Sequence, residues 1–313
     1  MKAERIHNKQ HKRYYDFNTF LRQSFGCRVH KISLDAGLSC PNRDGSKGKG
    51  GCIYCNPYGS GTGAYAKGIS ISEQIVQAKT FLARRYKAEK FIAYFQSFCN
   101  TYGPYEKLKA LYEEALAHED IVGLAVGTRP DCVDEKIIDL LASYTNKYQV
   151  WIEYGLQSIH NRTLDFINRG HTYEDFLQAI KLTSGRGILI CVHIILGLPG
   201  ETKADMLATV RALGQLPVDG IKFHHLYVVK GTRLASLYEK GEYTPLSQEE
   251  YIDILVEALE LLPSRVVIQR LMGDPRPEEL IAPDWSLRKR ETLNLINQVL
   301  EERNTWQGRR FSS

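Results

Sequence analysis

The chain has 313 residues, 43% of them hydrophobic and 25% charged, with a formal net charge of +5. No apolar run has the length to cross a bilayer, and the start MKAERIHNKQHKR lacks the apolar core of a secretory signal, so a cytoplasmic protein with a sizeable buried core is expected. Seven cysteines, an odd number in a chain this long, argue against a disulfide framework and for a reducing compartment in which thiols are free to bind metal.

Taken in order, the chain opens on a basic extension, residues 1–28. Residues 1–31 carry eight Lys/Arg against Glu4 and Asp16, a balance of +6 that leaves −1 for the other 282. Such an arm can meet phosphate or serve as a solubilising, partly disordered terminus. RVHKISLD then reads as a first strand and delivers the chain to a glycine-rich cysteine loop, after which Ser70 and Glu73 form a capping box that opens a helix to Tyr86.

From there one pattern repeats: apolar strand, polar loop, amphipathic helix. Strands are predicted at 90–95, 121–127, 149–155, 188–195 and 219–226, and helices near 104–118, 134–143, 173–184 and 201–213. A second capping box, Ser247 with Glu250, opens another helix to Leu262. Units of this length suit right-handed β-α-β crossovers, and the strands are apolar enough to be covered on both faces, as parallel strands are. A barrel and a flat doubly wound sheet fit this rhythm equally. The core is read as residues 29–263. Beyond it, residues 264–313 hold one more strand at 265–274 and a final helix, an extension expected to cover the barrel mouth.

Three cysteines, Cys40, Cys52 and Cys55, fall within sixteen residues. Three thiolates are one short of a closed tetrahedral zinc site, so one coordination position is left open. The strand ends carry polar residues that a buried core would not choose. These are Gln96, Ser97, Asn100 and Thr101 after the second strand, Thr128, Arg129 and Asp131 after the third, and Glu153, Gln157, Arg169 and His171 after the fourth. Arg129 and Asp131 read either as ribose-side or substrate contacts at the mouth or as a surface pair. His193 lies on the fifth strand, with Ile195, Gly197 and Leu198 at its end. His224 and His225 on the sixth point to opposite faces, and His224 is favoured with Lys230 as a substrate contact. Asp35, Asn42, Arg43, Arg270 and Asp274 complete the polar residues expected at the mouth.

The cysteine pair with its preceding aromatic Tyr54, together with GLQS…NRGH and HIILGLPGE, resembles the radical S-adenosylmethionine (radical SAM) superfamily, most closely its bacterial YhcC/YtqA-like branch, related to elongator-type and coproporphyrinogen-oxidase-type enzymes. The resemblance runs from about Tyr14 to about Gly308. Most members separate the first two cysteines by three residues, whereas eleven lie between Cys40 and Cys52 here; that branch carries the longer gap. The resemblance implies a partial, TIM-like (β/α)6 barrel and resolves the ambiguity of the periodicity. It implies a single 4Fe–4S cluster held by Cys40, Cys52 and Cys55, with Cys27, Cys99, Cys132 and Cys191 left out.

It also places S-adenosylmethionine (SAM) beside Gln96 and Ser97, although a Gly-Gly-Glu-like stretch usual in the superfamily is replaced here by YFQSFCNT. Thr128 and Glu153 join that set, Gln157 and Arg169 take SAM contacts, Ile195, Gly197 and Leu198 take the adenine, and His193 stands where relatives carry a polar SAM contact. The chemistry implied is one-electron cleavage of SAM to a 5′-deoxyadenosyl radical, which abstracts hydrogen from a substrate held over the mouth, with an electron donor such as flavodoxin or ferredoxin. Relatives of this branch are associated with modified nucleobases, so the expected substrate is a tRNA wobble uridine, with lysis of free queuine as the alternative. A reading of another class is a zinc-stabilised RNA-binding module without catalysis, in which His30 supplies a fourth ligand.

Overall fold

The computed structural model describes residues 12–56, 59 and 64–312. Part of the basic extension, residues 1–11, lies outside them. The described remainder is folded rather than loose. Asp16 caps a helix α1 (Phe17–Phe25) by accepting from the amides of Asn18 and Thr19, and it bridges to Ile268. Strand β1 (Val29–Leu34) follows, then the cysteine loop and α2 (Ile71–Tyr86), which opens on the Ser70–Glu73 capping box.

The alternation continues through β2 (Lys90–Phe95), α3 (Tyr105–Leu116), β3 (Ile121–Thr128), α4 (Glu135–Ser143) and β4 (Gln149–Gln157). It goes on with α5 (Asn161–Phe166), α6 (Tyr173–Thr183), β5 (Leu189–Leu196), α7 (Lys203–Gly214) and β6 (Gly220–His225). A short β7 (Val228–Val229), α8 (Arg233–Glu239) and α9 (Gln248–Glu260) precede β8 (Val267–Arg270), β9 (Leu280–Ala282) and α10 (Lys289–Glu302). Besides the two capping boxes read from sequence, Thr172–Asp175 and Thr202–Asp205 close the same reciprocal pair at α6 and α7. Aspartate in place of glutamate hid them.

Seven strands form one parallel sheet in the order β1-β2-β3-β4-β5-β6-β8, and β7 pairs antiparallel with β9 beside it. The sheet is curled, because its two edges meet through side chains: Nζ of Lys31 on β1 donates to Oε1 of Gln269 on β8 at 2.6 Å. The chain is therefore a half-barrel whose six β-α units gain a seventh strand from the carboxyl-terminal part. Its outer face is buried under the helices in the main hydrophobic core.

Inside the curl, alternate residues of each strand build layers. The lowest is apolar, with Val29, Ile92, Ala125, Trp151, Cys191 and Val267, and Leu21 of α1 packs into it. Phe17 and Phe20 set their rings edge-on to Trp151 at 6.0 and 5.5 Å. So α1 closes the bottom of the half-barrel, an apolar role that the arm's charge concealed. The next layer up is polar and forms the floor of a cavity open toward the strands' carboxyl ends. Among the described residues, no helix is long and apolar enough to cross a membrane.

Candidate active site

The cysteine loop leaves the carboxyl end of β1 and is organised by its own backbone. Asn42 O accepts the amide of Gly51 at 2.9 Å, Cys52 O accepts that of Cys55 at 3.0 Å, and Ile53 exchanges bonds with Ile167 and Leu234 at 3.0 and 2.9 Å. Gly51 takes φ +77, which a side chain there would strain. Ile53 seats the loop on a second apolar cluster with Leu164, Ile167, Ile195, Leu198 and Leu234. The effect is to turn Cys40, Cys52 and Cys55 into one cavity of about 350 Å³.

Two arginines surround these thiols. Arg129, 2% exposed, is gripped bidentately by Asp131 at 2.9 and 3.0 Å and donates to the Arg169 carbonyl at 2.7 Å. The pair expected at the mouth or on the surface is thus buried, with Arg129 on the cavity wall. Arg169, 8% exposed, has no carboxylate among its described hydrogen-bond partners: Nη2 holds the Gly155 carbonyl at 2.6 Å and Nη1 reaches Sγ of Cys52 at 3.5 Å. Nδ2 of Asn42 approaches the same sulfur at 3.8 Å.

A buried guanidinium needs a counter-charge, which thiolates bound to a metal would supply. Burial pushes the Cys40 thiol up, against the pull of the Asn42 amide and the charges of Arg129 and Arg169. It pushes Cys55 up too, against Arg43. Three thiols, open space between them and a positive surround fit a thiolate-bound iron–sulfur cluster with one iron left for another ligand. The zinc reading fails on geometry. His30 lies at the amino end of β1, stacked on Tyr86 at 4.8 Å, whereas Cys40 follows the carboxyl end of that strand.

The cavity wall carries Gln96, Thr128, Glu153, Gln157, Arg169, His193 and Ile195 of the residues assigned to SAM, and Arg43, His224, Arg270 and Asp274 of those assigned to substrate. Gln157 ends β4 with φ +78 at a register shift. Thr128 spends its hydroxyl on Thr101 at 2.6 Å and Cys99 at 3.1 Å. Others lie off the wall. Ser97 is buried with an unpartnered hydroxyl. Past β5, Gly197 bonds Met206 and Tyr243, and Leu198 packs under the cysteine loop. Asp35 exchanges backbone bonds with Gln74 at 2.9 Å, Asn42 supports Cys52, and the exposed Lys230 binds the Glu278 carbonyl at 2.8 Å. His171 sets its ring nitrogens 3.1 and 3.2 Å from the Thr172 and Gly155 carbonyls.

The floor joins Glu153 and His193, expected as SAM contacts, to Lys31, Lys222 and Tyr94, which the sequence did not single out. There Glu153, 1% exposed, takes the ammonium groups of Lys31 and Lys222, and Nε2 of His193 lies 2.8 Å from its Oε2. Burial works against ionising Glu153, but Lys222 and Lys31 outweigh it and hold the carboxyl well below its usual range. Burial pulls Lys222 down to about 7 against the attraction of Glu153. The phenol of Tyr94 stands 3.1 Å from Lys222. Glu153, Cys191 and His193 bring ligand atoms within 4.8 Å of one another, but the two ammonium groups occupy the carboxylate a cation would need. The available signal was a lysine in mid-strand between Ile221 and Phe223.

Comparison with known proteins agrees with this geometry. The chain matches the radical SAM superfamily over residues 44–213 and the radical SAM C-terminal domain over residues 218–302. It is 40% identical to the uncharacterized protein YtqA of Bacillus subtilis over 96% of this chain and 93% of that one. Half of it, covering 29% of the relative, is 32% identical to the tRNA uridine(34) acetyltransferase of Methanocaldococcus jannaschii. The fold is similar to that of the archaeal Elp3 of Methanocaldococcus infernus, with a TM-score of 0.68 at 18% identity over 89% of this chain and 64% of that one. The chain belongs to the radical SAM superfamily, whose enzymes use a 4Fe–4S cluster and S-adenosylmethionine, in the branch that holds YtqA and YhcC.

Proposed function

We propose that this enzyme acts on a modified nucleobase by hydrogen abstraction, with tRNA wobble uridine as the first candidate. The observation that carries the reading is the convergence of Cys40, Cys52 and Cys55 on a single cavity with a polar floor. The partial similarity to a tRNA uridine(34) acetyltransferase supports the substrate class. When bound, the cluster supplies the electron that splits SAM into methionine and a 5′-deoxyadenosyl radical. Cys40, Cys52 and Cys55 would hold it, with an external donor of the flavodoxin or ferredoxin kind providing that electron.

The chain's own residues have three tasks. Arg169 and Asn42 direct N–H groups at the Cys52 sulfur, donors that a metal-bound thiolate would accept. Gln96, Gln157, Arg169, His193 and Ile195 form the wall that would receive SAM, with Gly197 and Leu198 shaping the end of β5 behind it. Leu21 and the rings of α1 seal the bottom against water, which suits a radical that reacts with whatever it meets. A second reading, a lyase acting on a free base such as queuine, is favoured by the cavity volume of about 350 Å³, the scale of a small-molecule site.

The test is paired. Anaerobically reconstituted, reduced protein is assayed for 5′-deoxyadenosine, and nucleosides and free bases of cells with and without the gene are compared by mass spectrometry. Release of 5′-deoxyadenosine together with a change in one modified nucleoside supports the tRNA reading, and a change confined to a free base supports the lyase. No change in either removes the nucleobase substrate. Cys40→Ala, Cys52→Ala and Cys55→Ala each abolish iron binding in this scheme, whereas Cys27→Ala, on the packed α1–β1 turn, retains it.

A further inference from the structure

The cavity holds more positive charge than its own carboxylates balance. Glu153 is shared by Lys31, Lys222 and His193. Asp274 is paired with Lys289 at 2.6 Å, and Glu279 takes the Asn56 amide at 2.9 Å and Arg276 at 3.4 Å. That leaves Arg270, half-buried on the cavity wall, whose guanidinium makes no hydrogen bond or ion pair with any described residue. An arginine cannot shed its proton to escape that position.

Beside it stands a second unmet group. Nε2 of His224 is buried without a partner, although the ring lines the same cavity. The two are brought together by the sheet: Arg270 pairs in register with Lys222, and His224 lies two residues further along the same face of β6. Burial, then the nearby charge of Arg270, keeps the His224 ring neutral, so it can still donate one N–H from Nε2. A fork of guanidinium donors, an imidazole N–H and the Lys222 ammonium behind them match the oxygens of an anion.

We infer that Arg270 and His224 form an anion-binding subsite at the side of the cavity, which takes a carboxylate or phosphate group carried by the substrate. This rests on the reading that the cavity holds a substrate beside SAM, and it narrows the substrate to an acid: a base bearing a carboxylate, or a nucleotide bearing a phosphate. A neutral free base leaves the pair unmet.

The experiment uses the full chain with labelled histidines and follows the His224 resonances by NMR while inorganic phosphate or acetate is titrated, with calorimetry in parallel. One of the two anions is expected to bind saturably and to shift His224, and the preferred anion identifies the group as phosphate or carboxylate. Arg270→Gln weakens that binding at least about tenfold, as loss of a charge-assisted fork does, whereas Lys181→Gln on the exposed face of α6 leaves it unchanged. Arg270→Lys, which keeps the charge but not the fork, falls between them. The inference is overturned if neither anion saturates on the wild-type chain or if Arg270→Gln binds as well as wild type. It is also overturned if SAM displaces the anion, because the pair then serves the methionine carboxylate. None of these readouts depends on release of 5′-deoxyadenosine, so the two readings fail separately.

Discussion

Arg169 reaches Sγ of Cys52 at 3.5 Å from Nη1 while its Nη2 stays anchored 2.6 Å from the Gly155 carbonyl. One buried cation thereby ties the fourth strand to a cysteine 117 residues upstream. Its position sets a guanidinium donor against a sulfur of the cysteine loop.

Arg169→Lys keeps the charge but cannot span both contacts. Iron held against a chelator is expected to fall by about 10- to 100-fold, the usual cost of removing a partner behind a metal ligand, with the circular dichroism of the fold unchanged. Iron retention equal to wild type would show that the contact is incidental.

Gly155→Ala tests the same anchor from the strand side. A Cβ there would sit 2.6 Å from Nη2 of Arg169 and 2.9 Å from Nε2 of Gln157, both at the ends of flexible side chains. The side chains yield while the strand stays, so urea unfolding should register about 1–3 kcal/mol of overpacking. The larger effect is weakened iron retention matching that of Arg169→Lys. An unchanged cluster absorbance near ~400 nm under chelator challenge argues against this coupling.

Glu153→Gln removes the carboxylate shared by Lys31, Lys222 and His193. Stranding the buried Lys222 ammonium and the half-buried one of Lys31 costs about 3–5 kcal/mol, read as a lower urea midpoint at pH 7. Because the folded Glu153 ionises well below its usual range, its contribution is present above the unfolded value and lost as pH falls below about 4.5. The variant should show a shallower acid limb than wild type, and parallel limbs would refute the assignment.

His225 is packed against Trp285 with ring centroids 4.3 Å apart, and Nε2 lies 2.7 Å from the Ser286 hydroxyl. Burial lowers its pKa to about 3. The unfolded chain therefore binds the extra proton below about 6.5 while the fold refuses it, and stability drops by about 1.4 kcal/mol per pH unit from there toward pH 3. Between pH 7 and pH 5 the wild type should lose about 2 kcal/mol more than His225→Gln, whose baseline is lower but flatter. Equal losses in denaturant titrations at the two pH values would contradict the burial argument.

What the sequence by itself determined was local in origin. The spacing of Cys40, Cys52 and Cys55 carried a metal-binding loop, and the strand and helix periods carried the β-α alternation within one or two residues, as at Lys90–Phe95 and Tyr173–Thr183. Hydrophobic period and capping chemistry act over a few residues, so they survive without a partner. The helix at Phe17–Phe25 was legible in principle from the apolar stripe Phe17, Phe20, Leu21 and Phe25, spaced three and four apart, but the basic charge around it masked that stripe.

Only the tertiary structure decided which strand residues share a layer. Lys31, Glu153 and Lys222 lie far apart in the chain, and each alone reads as an isolated polar residue in an apolar run. Curling the sheet until β1 and β8 touch stacks them into one floor and leaves Arg270 with His224 beside it. The same closure turns Lys230 and Asp35 away from the cavity that their positions in the chain suggested. The physical reason is that ion pairing and burial depend on distances through space, which strand register and sheet curvature set and no short stretch of chain contains.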